Sequence, residues 1–370
     1  MASMKTQPAT AQRPAPAGNA PSEVMPALVK HHAGEGLQLD EARPVPPVGP
    51  LDVLIRVTKA GICGTDRHIW QWDDWAAGRI PVGIVTGHEF VGVVDRVGSA
   101  VTQFTPGQRV SAEGHITAGT DYNSRTGNAH IARDTQILGV DRDGCFARFV
   151  SVPEVNVWPV HDEIPDRIAA TFDPLGNAVH TVMAAGVSGK SVLISGVGII
   201  GLMAVTVARA AGAARIYCTD INPPRLKLAK KLGAVEAFDA RQGDHWIKHV
   251  RRETRDEGVD VLLEMSGSPA AFDEGFRALR NGGMAALLGL PAKPVTFDFN
   301  TNIIFKGCTV LGINGRRIWE TWYRMEEMLL GKRLQLDEII THEFPLSQYE
   351  KAFETMISGE GIKVLMNVDG

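Results

Sequence analysis

Apolar and polar residues are patterned in two different ways along this chain. From Met25 to about Val152, short β-branched and apolar runs alternate with turns rich in Gly, Pro and Asp; examples are VLIRVTKA (53–60), FVGVVDRVG (90–98), QRVSAEG (108–114) and FARFVSVP (146–153). Runs punctuated in this way predict an all-β, barrel-like domain. Further on, the strand-like runs SVLISG (191–196), RIYCTD (215–220), VDVLLEMSG (259–267) and GMAALLG (283–289) alternate with helical stretches starting at Ile199, Pro223 and Pro269. Apolar strands separated by helices predict an α/β, doubly wound domain with a parallel sheet. A helix over 319–330 and a final helix–strand segment are expected to return to the first domain. The expected division is an arm over 1–24, a β domain over 25–172, a dinucleotide-type domain over 173–318 and a returning segment over 319–370.

Composition narrows the function classes. A chain of 370 residues with 44% hydrophobic content has room for two buried cores. A net charge of −4, with mixed signs, gives no basic face for nucleic acid and no polybasic membrane anchor. No apolar run is long enough to span a bilayer. The first 24 residues, rich in Ala, Pro, Ser and Thr, lack the apolar core of a secretory signal and are expected to be disordered. Cys63, Cys145, Cys218 and Cys308 are widely separated and form no CxxC pair, which predicts reduced thiols in a cytoplasmic protein.

The clearest chemical signal is SGVGIIG, in which Gly196, Gly198 and Gly201 have G-x-G-x-x-G spacing between a predicted strand and a predicted helix. The first glycine permits the tight turn, the second admits a pyrophosphate, and the third packs helix on strand. The helix start at Ile199 and Ile200 offers free N–H groups to the phosphates. Asp220 ends the next strand, where a carboxylate accepts from ribose hydroxyls and repels a 2′-phosphate, so NAD is the expected cofactor. Arg225 is placed to flank the adenosine. The competing reading is a Rossmann domain that binds no nucleotide.

A second signal lies in AGICGTDRHIW (60–70) and TGHEFVGVVDRVG (86–98). A lone cysteine is by default a small hydrophobe and a lone histidine a satisfied polar residue. Together, Cys63, His88 and a carboxylate would give zinc soft and borderline ligands with one position left open. Here the chain resembles the zinc-dependent medium-chain alcohol dehydrogenases. GHE-x2-G-x5-G, formed by Gly87, His88, Glu89, Gly92 and Gly98, matches their signature. The resemblance runs from about Met25 to the C-terminus. It is nearest to the L-threonine 3-dehydrogenase branch through ICGTDRHIWQWDDWAAGRIP, EGHIT, FDPLGNAVHT, LEMSGSP, IIFKG, GINGR and ETWYRM.

That resemblance implies a GroES-like catalytic domain, a Rossmann domain and an active-site cleft between them. It implies Cys63, His88 and Asp173 as zinc ligands, Glu89 as a ligand or swing-in alternate, and Thr65 and His68 as a proton relay. Asp66 is expected to orient His88. On the substrate side it points to Arg316 as carboxylate anchor, because arginine binds carboxylates through two parallel hydrogen bonds, and to His115. Asn177 lines the cleft or caps its helix. Trp70, Trp72 and Trp75 are expected mainly to pack. The implied reaction is NAD-dependent oxidation of the C3 hydroxyl of L-threonine, or a close β-hydroxy amino acid, to 2-amino-3-oxobutyrate. The resemblance also implies a homotetramer and a CoA-dependent lyase acting on the product.

The chain departs from the family at a lobe where relatives space four cysteines around a structural zinc. The matching positions are Ala118, Asp121, Ser124 and Ala132, so one catalytic zinc and no structural zinc is expected, even with Asp121 and His130 in the lobe. The lobe is then held by hydrogen bonds, turns or a subunit contact. Two other functions stay open: the same chemistry on a polyol, vicinal diol or amino-sugar alcohol, and a non-catalytic nucleotide-binding relic of the fold.

Overall fold

The structure, a computed structural model, describes residues 23–369. The arm expected over 1–24 lies outside the described residues for its first 22 positions. Glu23 already pairs with Arg96 at 2.8 Å, and Val24–Val29 is the first strand, paired with Gln38–Pro44.

The catalytic half is a seven-stranded sheet in the order Ile340–Pro345, Lys363–Asn367, Asp52–Gly61, Glu89–Val97, Arg109–Ala112 and Val157–Pro159, with Phe149–Pro153 also pairing on Asp52–Gly61. Asp52–Gly61 is the spine of this sheet. Val53, Leu54, Ile55, Val57 and Ala60 are fully buried, as expected of a β-branched run packed on both faces. Two late strands, Ile340–Pro345 and Lys363–Asn367, lie in this sheet. Lys363–Asn367 pairs with Asp52–Gly61, and Phe353 from the helix Tyr349–Ile357 stacks on Trp70 at 4.6 Å.

The second half is a six-stranded parallel sheet in the order Glu236–Asp239, Arg215–Asp220, Ser191–Ser195, Val259–Glu264, Leu279–Leu287 and Thr309–Gly312. Numbered along the chain, that order is 3-2-1-4-5-6, the doubly wound arrangement in which a crevice opens where the winding reverses. The strand Glu236–Asp239 and the helix His245–Glu253 were not singled out from sequence, because four half-buried edge residues carry almost no periodic signal.

The helix Phe172–Ala185 joins the two halves. One apolar cluster runs from Val91 and Trp158 on the barrel side, through Phe172, Leu175, Val179 and Val182, to Val192, Ile194 and Val261 of the parallel sheet. Continuous packing of this kind fixes where the crevice meets the barrel. Among the described residues, no helix is long and apolar enough to cross a membrane.

Candidate active site

Strand register assembles the site. In the antiparallel pairs, Gly61 faces Glu89 on one side and Leu365 on the other. Cys63 lies two residues past that rung, His88 one residue before Glu89, and Lys363 two residues before Leu365. Three distant stretches therefore converge at one end of the sheet. Two glycines make this possible. A Cβ on Gly61 would lie 2.7 Å from Glu89 Oε2 and 2.9 Å from Lys363 Cε, and one on Gly87, at φ +90°, would enter the Phe146 ring at 2.4 Å.

Cys63, His88 and Glu89 form a trio whose ligand atoms all lie within 4.8 Å of one another. One thiol, one imidazole and one carboxylate suit zinc in an open catalytic site. The surroundings also call for a cation. Asp66, Glu89 and Glu113 are buried, Asp173 has a side chain only 11% exposed, and against these four carboxylates stand two buried cations, Lys363 and Arg316. Asp66 Oδ1 and His88 Nδ1 are buried without a hydrogen-bond partner. Burial alone would lower the pKa of His88, yet Cys63, Asp66 and Asp173 outweigh it and push the imidazole up to about 10. Burial raises Asp66 and Glu89 from their ordinary values. A site that holds extra protons because it lacks positive charge fits a divalent ion.

Each carboxylate of the site has a fixed neighbour. Glu89 Oε2 is bonded to Lys363 Nζ, whose other acceptor is Ile62 O at 2.8 Å. Asp66 Oδ2 accepts from the Cys63 N–H at 2.8 Å, fixing the turn that presents the thiol. No hydrogen bond joins Asp66 to His88, so orientation of the imidazole by Asp66 is not what the geometry shows. Thr65 and His68 lie on the helix Gly64–Gln71, three residues apart and so on one face. Thr65 Oγ1 is 3.9 Å from Cys63 Sγ. His68 is half-exposed, and its Nδ1 lies 2.5 Å from Asp73 Oδ2. Trp75 meets the His68 ring edge-on at 6.0 Å, while Trp70 packs in the core and Trp72 faces Lys30 Nζ at 4.8 Å.

Three sequence expectations meet a different geometry. Arg316 is not a free substrate anchor. It is 2% exposed, and its guanidinium forms a bidentate pair with Glu113 and reaches Asp173 Oδ2 at 2.6 Å. Its donors are already engaged, and sequence alone could not show carboxylates that lie 203 residues away at Glu113 and far upstream at Asp173. Asp173 consequently stands outside the trio, held by the arginine. Asn177 does not cap its helix. It is an interior residue of Phe172–Ala185, which starts at the N-cap Thr171, and its Oδ1 is buried with no partner. His115 Nδ1 is 2.9 Å from both Glu113 Oε1 and Arg316 Nη2.

Sequence reading missed Glu113, Lys363 and His180, and it placed His130 only in the lobe and not beside this network. Glu113 also accepts from Trp322 Nε1 at 2.9 Å; burial would raise it, but Arg316 and His115 hold it well below the usual carboxylate range. His130 and His180 pack edge to face at 5.3 Å, and His180 Nδ1 lies 2.8 Å from Gly315 O. EGHIT and GINGR were the only hints that these segments meet.

The crevice of the parallel sheet carries the predicted dinucleotide features. Gly196 has φ +86°, and a Cβ there would lie 2.6 Å from Ser266 Cβ; one on Gly201 would lie 2.1 Å from Gly196 O. A Cβ on Gly198 would meet nothing within 4 Å, leaving the open face a ligand backbone needs. Ile199 and Ile200 begin the helix Ile199–Ala210. Asp220 accepts from the Val197 and Asn222 N–H groups at 2.8 and 2.9 Å, so its carboxylate is fixed at the rim. Arg225 Nε is buried with no partner nearby.

With this geometry in view, the chain matches two protein families: the alcohol dehydrogenase GroES-like domain over residues 49–162 and the zinc-binding dehydrogenase family over residues 200–331. It belongs to the zinc-binding alcohol dehydrogenases. At closer range it is 47% identical over 346 residues to an L-threonine 3-dehydrogenase of Chelativorans sp. (strain BNC1), covering 94% of this chain and 99% of the relative. An L-threonine 3-dehydrogenase of Chromobacterium violaceum is 46% identical over 344 residues, covering 93% and 99%. Among solved structures, an alcohol dehydrogenase from Thermus sp. ATN1 superimposes with a TM-score of 0.85 at 31% identity, covering 93% of this chain and all of that one.

Proposed function

We propose that the protein oxidises the C3 hydroxyl of L-threonine, or of a close β-hydroxy amino acid, to the 3-oxo acid, passing hydride to NAD. The observation that carries this reading is the trio Cys63, His88 and Glu89 in a chain that also has a glycine-turn parallel sheet and is 45–47% identical over nearly its full length to several L-threonine 3-dehydrogenases. Cys63, His88 and Glu89 would hold one zinc, which supplies a Lewis acid that makes a bound hydroxyl acidic. Thr65 takes that proton and His68 passes it to solvent, the imidazole being steadied by Asp73. His115 and Asn177 face the substrate. Gly196, Gly198, Ile199, Ile200 and Gly201 receive the pyrophosphate, Asp220 the ribose and Arg225 the adenosine. Asp220 supports NAD over the 2′-phosphorylated form.

Four free cysteines support a reducing, cytoplasmic setting. A homotetramer is supported by the open edge strand Thr309–Gly312 and the exposed Leu290, Ile304 and Phe305 near it. One zinc per chain is our reading, and it is supported by Asp121 tying the lobe through the Ser124 and Arg133 N–H groups.

Cys63→Ser tests the division of labour. Zinc content and turnover fall together while NADH binding, followed by fluorescence, stays within about twofold; equal loss of both would refute it. A second reading, oxidation of a polyol, vicinal diol or amino-sugar alcohol, gains support from the engagement of Arg316, which removes the expected carboxylate anchor. NADH formation with threonine, sorbitol and 2,3-butanediol separates the two.

A further inference from the structure

We propose that Lys30 is a positioning residue for the proton relay: its buried ammonium fixes the turn over 69–73 and so aims the Asp73 carboxylate that steadies His68. This rests on the reading that Thr65 and His68 carry the proton.

Lys30 follows the first strand, Val24–Val29, and its backbone is tied down: its N–H donates to Ile84 O at 2.9 Å, and its carbonyl accepts from the Gly83 N–H at 2.7 Å. The residue is fully buried, and its three ammonium donors meet three carbonyls, Gly34 O at 2.5 Å, Gly36 O at 2.8 Å and Ile69 O at 2.7 Å. Burial lowers its pKa to about 8 and Glu35 works the other way, so the group is charged at neutral pH. Ile69 sits in the last turn of Gly64–Gln71, the helix that carries Thr65 and His68; carbonyls there lack intrahelical partners, and the helix dipole favours a cation. The same loop holds the helix end a second time, with the Gly36 N–H donating to Trp70 O at 2.8 Å. Just past the helix, Trp72 has φ +53°, a left-handed conformation uncommon for a bulky residue, and its ring lies 4.8 Å from Lys30 Nζ. Asp73 comes next. Its Oδ1 accepts from the Ala76 N–H at 3.0 Å, and its Oδ2 lies 2.5 Å from His68 Nδ1. One ammonium, anchored on Ile69 O and under the Trp72 ring, thus pins both ends of the short segment that brings His68 and Asp73 together.

Two measurements test this. Amide exchange on metal-free, cofactor-free protein reads the turn itself: in Lys30→Met, protection over 69–76 falls by about tenfold, and unchanged protection overturns the proposal. Steady-state kinetics, with the best substrate among threonine, sorbitol and 2,3-butanediol, read the relay. Lys30→Met lowers kcat by about tenfold or more, and added imidazole restores at least about threefold of that loss, while NADH binding stays within about twofold. In a His68→Gln background the same change alters kcat by less than about twofold, because the group that Lys30 positions is already gone. A lysine that acted only through stability would lower kcat by the same factor in both backgrounds and gain nothing from imidazole; either result overturns the proposal. Should Lys30→Met fail to fold, Trp72→Gly keeps the ammonium, accepts the left-handed φ and removes the ring from the clamp. The same dependence on His68 is then expected, and equal losses in both backgrounds overturn the proposal. Failure of the relay reading is distinguishable: His68→Gln alone would then keep its kcat, which overturns that reading and this one with it.

Discussion

Lys363 illustrates how much a single residue can decide here. Its ammonium is fully buried against Glu89 and the Ile62 carbonyl. Lys363→Met leaves Glu89 as an uncompensated buried charge and should cost about 3–5 kcal/mol in urea unfolding of the metal-free protein. Lys363→Met with Glu89→Gln should recover most of that loss, since a neutral pair needs no counter-charge; no recovery would mean that Lys363 stabilises through packing instead. The same residues mark the limit of sequence reading. Cys63, His88 and Glu89 were legible because each sits in a compact pattern next to a recognisable strand. Lys363 was not, since a lysine before an apolar strand looks like any surface residue. Arg316 was legible as a functional guanidinium but not as an engaged one, because its partners come from elsewhere in the chain.

At the scale of elements, carboxylates tie together the lobe between His115 and Ile137. Asp121 caps the short helix Tyr122–Arg125 by accepting from Ser124 N–H and also takes the Arg133 N–H. Asp134 takes the Thr117 hydroxyl at 2.5 Å and the Ala118 N–H at 3.0 Å. Hydrogen bonds from Ser124 and Arg133 hold the Asp121 carboxyl down to about 2, below its ordinary value of 3.8. A depressed acid stabilises the fold above its unfolded pKa and loses that contribution as pH falls through the folded one. Protection factors for amide exchange over 117–134, corrected for the intrinsic pH dependence of exchange, should therefore be unchanged from neutral pH down to about 4 and fall between about 4 and 2. A chelator at neutral pH should leave exchange in the lobe untouched; faster exchange there would reveal a metal. The wider outline was readable because strand and helix periods differ so clearly, whereas the strand Glu236–Asp239 escaped notice for want of length.

The whole molecule separates its two chemistries spatially but not mechanically. The trio sits at the end of the barrel sheet, the glycine turn at the crevice of the parallel sheet, and the apolar cluster through Phe172–Ala185 joins them. Chelator-stripped protein should bind NADH with a Kd within about twofold of the zinc-loaded form, because the proposed pyrophosphate contacts come from backbone groups around Gly198. Assembly belongs to this scale as well. Phe305, 79% exposed near the open Thr309–Gly312 edge, is the residue to change. If the proposed tetramer forms through this edge, Phe305→Glu should yield smaller species by light scattering with zinc content preserved, and an unchanged mass would refute that interface.

The pairing of Glu89 with Lys363 spans 274 positions of chain. At about 5–20 residues per second, the ribosome adds Glu89 roughly 14 to 55 seconds before the lysine that neutralises it. Throughout that interval the nascent barrel lacks its last strand and its counter-ion, so zinc capture should follow translation rather than accompany it. Ribosome-arrested chains ending before residue 363 should accordingly fail to retain zinc that released chains hold.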